Sequence, residues 1–168
     1  DPYVYVLYAY DAPIGGTAPT WNDGCPTPPG PTTDGCLVSG RVSRLQISGN
    51  VMTGSEQVLV NDWCQQFPSH SIGTLLFGRD GYLYVTGGDG ASFNNVDYGQ
   101  YGNTYAGDQA NPCGDPPGAV GIPLSPPGGE GGALRSQSVR RTDGPATLDG
   151  TVLRIDPATG AGVPGNPF

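Results

Sequence analysis

A chain of 168 residues carrying 29 glycines and 18 prolines has room for one core and for little continuous helix. Its formal net charge is -8, and all seven basic residues are arginines, which excludes a lysine Schiff base and argues against a nucleic-acid or anionic-membrane surface. The acids are thirteen aspartates plus Glu56 and Glu130, a bias toward turns and toward ligands for hard cations.

The chain opens at Asp1-Pro2 with neither a start methionine nor a leader, and so reads as a processed or excised piece. Its longest apolar cluster, Tyr3 to Tyr10, has strand length and falls well short of the roughly 18–20 residues of a membrane span. Odd and even positions of that run are apolar alike, the pattern of an inner strand buried on both faces. A Pro-rich loop, Asn22 to Asp34, leads to Val42-Ser43-Arg44-Leu45, where Leu45 and Ile47 alternate with Arg44 and Gln46 as in an outer strand. That strand stops at Ser48-Gly49-Asn50, and Glu56 to Val60 and Gly73 to Phe77 are the next two short apolar strands. The turn Gly78-Arg79-Asp80-Gly81 joins the second of them to Tyr82 to Val85. Residues 90–148 lack periodicity and read as a long inserted loop; Val152 to Ile155 follows and ends at Asp156 to Gly160.

Two of these strands repeat two others in the same order. Tyr3-Val4-Tyr5-Val6 recurs as Tyr82-Leu83-Tyr84-Val85, and Val42-Ser43-Arg44-Leu45 as Val152-Leu153-Arg154-Ile155. A repeated unit of four short antiparallel strands is the signature of a β-propeller blade. The expectation is an all-β partial propeller in a single domain. Residues 1–61 supply strands B, C and D of one blade, and residues 62–168 supply A, B and C of the next. About one and a half blades leave sheet edges and faces unpaired, to be completed by further blades or by assembly with other chains. The alternative architecture is a small β-sandwich.

Cys25, Cys36, Cys64 and Cys113 are separated by 10, 27 and 48 residues, and His70 is the only histidine, a pattern that disfavours zinc. Two disulfides in a secreted protein fit better. Of the three pairings, Cys25–Cys36 with Cys64–Cys113 keeps the bridges local and uncrossed.

No Gly-x-Ser-x-Gly motif or dinucleotide fingerprint is present, so His70 is the main candidate for chemistry. It precedes strand A of the second unit, and Asp89 ends strand B. Antiparallel strands joined by a tight turn return those two ends to the same side, where a carboxylate beside an imidazole makes a general base. Asp89, Asn94, Asn95, Asp97 and Asp108 also give the inserted loop the oxygen donors of a calcium site, without EF-hand spacing; solvated loop residues are the alternative reading.

The run from His70 through Asp89, with Gly150 to Asp156 and the closing Gly165-Asn166-Pro167-Phe168, resembles the glucose/sorbosone dehydrogenase family. The resemblance implies a six-bladed propeller, exported to the periplasm or cell exterior, that oxidises sugars with pyrroloquinoline quinone (PQQ) and calcium. It implies that His70 takes the sugar hydroxyl proton and borders the cofactor, that Asp89 is its partner acid, and that a further cofactor contact falls near Asn94. The calcium ligands are left unassigned. The family's other pocket elements have no counterpart in this chain, so the expectation is that it is inactive alone. The competing expectation is a non-catalytic extracellular propeller segment serving structure, assembly or carbohydrate binding.

Overall fold

The computed structural model describes residues 2–20, 24–25, 30, 34–92, 113, 136 and 146–167. Seven strands occur among them: β1 (Tyr3–Tyr10), β2 (Val38–Ser48), β3 (Val51–Met52), β4 (Gln57–Gln65), β5 (Ile72–Phe77), β6 (Leu83–Gly87) and β7 (Val152–Ile155). The described residues contain no α-helix, only a single 3-10 turn at Pro68–His70.

The strands form two antiparallel sheets. In the first, β2 is central, with β1 along one side from Tyr3↔Gln46 to Tyr10↔Ser39, and β4 and the short β3 on the other. Register shifts opposite residues 40–43 bend β4 against β2. The second sheet is the meander β5-β6-β7. Gly81 N–H donates to Gly78 O at 3.0 Å and Gly78 N–H to Tyr82 O at 2.9 Å, closing the β5–β6 turn. Thr86 Oγ1 bridges the one ladder irregularity by accepting from Thr74 N–H at 2.9 Å.

The core lies between the sheets and is built from Val42, Val60, Trp63, Leu83, Val85 and Ile155. Tyr5 and Leu7 of β1 flank it on one side, Leu75 and Leu153 on the other. Tyr5 also meets Phe77 edge-on at 5.1 Å and donates its hydroxyl hydrogen bond to Pro157 O at 3.1 Å. The sheets stack front to back. Within the repeat, Val4 and Leu83 are equivalent, yet Val4 is 42% exposed on the outer face of the first sheet while Leu83 is fully buried against it. Val42 and Val152 reverse this: Val42 is fully buried and Val152 is 65% exposed. Equivalent residues thus point the same way in both sheets, and only one of each pair finds the neighbouring sheet.

Two strand assignments need correction. The β1 run is half-buried rather than buried on both faces, because among the described residues only its Tyr5 and Leu7 side meets another sheet. β2 is a central strand, not an outer one. Its first half is mostly buried, and the alternation read from Arg44 onward belongs to the half that runs out past the core. The two bridges are Cys25–Cys36 and Cys64–Cys113, the pairing expected from loop locality.

Candidate active site at one end of the sheets

β4 ends at Gln65 and the chain passes through buried Gln66 and Phe67 before the turn Pro68–His70. Pro68 suits the first position of that turn, where no N–H is needed. Fully buried Phe67 and nearly buried Ser71 anchor its two sides, so His70 is presented from a fixed base. Pairing continues beyond the formal ends of the second sheet. Gly88 N–H donates to Ser71 O and Gly90 N–H to His70 O, both at 2.9 Å, and Gly150 N–H donates to Gly88 O at 2.7 Å. Phe67 N–H closes the frame on Gly90 O at 3.1 Å. Gly88 has to be glycine here, because a Cβ would run into the His70 carbonyl.

This frame brings His70 and Asp89 together: Nδ1 lies 3.3 Å from Asp89 Oδ1, with each side chain 39% exposed. Asp89 Oδ1 also accepts from Ala91 N–H at 3.0 Å, an Asx turn that fixes the carboxylate. Gly90 completes the turn at φ +67°, in the left-handed region. Carboxylate contact at Nδ1 favours the proton on that nitrogen, making Nε2 the basic one.

Behind the pair is a buried connection the sequence reading missed. Gln65 Nε2 donates to Asp149 Oδ1 at 2.8 Å, with both residues almost wholly buried, and this ties the end of β4 to the turn before β7. Among the described residues, Gln65 Oε1 and both amide atoms of Gln66 are buried and find no hydrogen-bond partner. The two residues of the Gln65–Asp149 pair are 84 positions apart and carry no local signal. Both disulfides lie at this same end. Cys64 adjoins Gln65, and Gly35, next to Cys36, approaches Pro68 so closely that a Cβ would sit 3.2 Å from its ring.

Asn94, and with it Asn95, Asp97 and Asp108, lies outside the described residues. Among the described residues no three His, Cys, Asp or Glu side chains converge as a metal site. Nor do the described arginines suit a tricarboxylate quinone beside His70. Arg41 and Arg44 lie over the rings of Tyr10 and Tyr3, and Arg154 is engaged with Asp80 at the far end of the second sheet. Arg79 sits in the β5–β6 turn, also at that far end. The described residues therefore do not by themselves fit calcium or PQQ. A cleft of about 790 Å³ opens elsewhere, between β4 and β7, and neither His70 nor Asp89 lines it.

No protein-family model, curated protein or solved structure matches the chain.

Proposed function

We propose that this chain is part of a β-propeller in an exported sugar dehydrogenase, with His70 as general base and Asp89 as the residue that orients it. The observation that carries the reading is the 3.3 Å approach of His70 Nδ1 to Asp89 Oδ1 at an accessible end of the sheets. Front-to-back stacking of two repeated sheets supports successive blades, and the two disulfides support an oxidising compartment. In this reading a sugar hydroxyl gives its proton to His70 Nε2, and Asp89 compensates the charge that develops on the ring. The resemblance to glucose/sorbosone dehydrogenases supplies the substrate class and the companion cofactors, PQQ and calcium. Residues outside the described set would have to furnish most of their contacts.

The test, on the whole propeller that carries this chain, is dye reduction by aldoses with PQQ and calcium added, together with direct measurement of sugar, quinone and calcium binding. The expected outcome is sugar-dependent turnover that falls about 10²–10⁴-fold in His70→Ala while the far end of the fold stays intact. Absence of turnover together with absence of quinone and calcium binding would overturn it. That result would favour the second reading, a non-catalytic module for structure, assembly or carbohydrate binding. The apolar side chains left open on the two outer faces, Val4 and Val58 on one and Leu76 and Val152 on the other, speak for that reading.

A further inference from the structure

We infer that Asp34 is a positioning residue for the His70–Asp89 pair, and that the disulfide-closed loop before β2 is a clasp across the two segments that carry the pair. The topology brings this loop to the site. β1 ends, β2 starts and β4 ends at one end of the first sheet, where Tyr10 lies opposite Ser39 and Val38 opposite Gln65. β5 starts, β6 ends and β7 starts at one end of the second, where Ile72 lies opposite Gly87 and Thr86 opposite Val152. Residues 66–71 join these two ends, so the connection from β1 to β2, the His70 turn and the connection from β6 to β7 emerge together.

Two adjacent residues of the loop touch both halves of the site. Gly35 lies against the ring of Pro68, the first residue of the turn that ends at His70. Asp34 Oδ2 accepts a hydrogen bond from the Ser92 hydroxyl, across 58 positions of sequence. Ser92 follows buried Ala91, and Ala91 is the link to the pair. Its N–H donates to Asp89 Oδ1, the same oxygen that faces His70 Nδ1. Its carbonyl accepts from the hydroxyl of Ser69, the neighbour of His70, at 3.4 Å. Holding Ser92 therefore holds Asp89 Oδ1 against the imidazole on one side and the His70 turn on the other.

The clasp has a fixed root in the first sheet. Cys36 and Leu37 are buried, Cys36 is bridged to Cys25, and the Ser39 hydroxyl donates to Ala12 O at 3.0 Å across the base of the loop. One sheet thus sets the geometry of a pair borne by the other. If Oδ1 moves away, Nδ1 loses the acceptor that keeps the proton there, and the basic nitrogen no longer points to a fixed place. The bearing on catalysis rests on the reading of His70 as a general base, whereas the clasp itself does not.

The test uses the whole protein that carries this chain, labelled with 15N-histidine, at an alkaline pH where the imidazole is neutral. The ring nitrogen signals report which nitrogen bears the proton, and His70→Gln identifies those of His70. Wild type should hold the proton on Nδ1. Asp34→Ala and Ser92→Ala should each move the balance toward Nε2, and the double variant no further, because both remove one and the same bond. Asp34→Asn, whose amide oxygen still accepts from Ser92, should restore the wild-type signal. Hydrogen exchange at Gly81, in the distant β5–β6 turn, should not change. In the sugar oxidation assay kcat should fall about 10–10²-fold in both alanine variants with KM little altered. A wild-type proton position in both alanine variants would overturn the inference. So would an Asp34→Asn variant that behaves like Asp34→Ala, which would assign the effect to charge and not to the hydrogen bond. A shifted proton in a protein without turnover would uphold the clasp and count against the reaction at His70, so the two readings fail separately.

Discussion

The Trp63 indole fills the space that a side chain at Gly87 would need. Trp63 is fully buried, and a Cβ at Gly87 would overlap the Cζ2 edge of its six-membered ring. On its other side the indole lies against Gly40, where a Cβ would stand 2.9 Å from Cδ2. One large ring is thus held between two strands that have given up their side chains, one from each sheet. Gly87→Ala should destabilise the fold by about 1–3 kcal/mol, the usual cost of overpacking. Denaturant unfolding checks this against Gly162→Ala, where the nearest atom would be 3.5 Å away and little change is expected.

The Trp63 contact also marks how far the sequence was readable. Most strands were legible because each is a short apolar run bounded by turn residues, and Tyr3 to Tyr10 and Val152 to Ile155 agree with β1 and β7 at both ends. But Glu56 to Val60 falls short of β4, which runs on to Gln65, β2 begins at Val38 and not Val42, and the two-residue β3 was not expected. The approach of His70 to Asp89 was legible too, since it follows from one hairpin and needs no long-range information. What was hidden depends on the packing of distant segments. Nothing local says that Gly40 and Gly87 share one tryptophan, or that Gln65 reaches Asp149. The outer-strand reading of β2 failed for the same reason. Alternation beyond Arg44 reports where the neighbouring sheet ends, not where the strand sits in its own sheet.

The two disulfides should differ in what they contribute. Cys64–Cys113 spans 49 positions and Cys25–Cys36 spans 11. On loop-closure entropy alone, removing them costs about 4 and about 3 kcal/mol respectively. Paired serine substitutions, compared by their denaturant midpoints under oxidising conditions, give the order. Equal losses, or a larger loss at the shorter loop, would show that the bridges act through local packing and not through the unfolded chain.

Asp80 should make the fold sensitive to acid at the end remote from His70. Desolvation acts to raise its pKa, but the Tyr84 hydroxyl, the Tyr82 N–H and the Arg154 guanidinium outweigh that and hold the carboxyl below its usual value. Asp156 is lowered as well, chiefly by the N–H groups of Ala158 and Thr159. A carboxyl whose folded pKa lies below its unfolded one contributes stability above the unfolded value, 3.8 for both groups, and loses it as pH falls through the folded value. Stability should therefore decline below about pH 4, and Asp80→Asn or Asp156→Asn should each flatten that decline. Urea unfolding at a series of acidic pH values reads the slope, and an unchanged slope in both variants would count against this assignment.

Gln65 and Asp149 should be coupled more strongly than either is to the strands around it. Their 2.8 Å bond is buried and joins the two sheets directly behind the candidate site. Removing the Gln65 amide deprives a buried carboxyl group of a donor, so Gln65→Ala is expected to cost about 2 kcal/mol or more. Once Asp149 is replaced by alanine, the same Gln65 substitution should cost much less, leaving a coupling of about 1–3 kcal/mol in the double-mutant cycle. The position of His70 gives a second readout. Gly90 packs against both members, with a Cβ there placed 3.1 Å from Gln65 Oε1 and 3.3 Å from Asp149 Oδ1, and Gly90 N–H holds the His70 carbonyl. If the pair supports the site, the Gln65 variant will speed hydrogen exchange at Gly90 more than at Gly81 in the distant β5–β6 turn. Additive stability losses with no preferential change at Gly90 would reduce the bond to a passive filler of the interior.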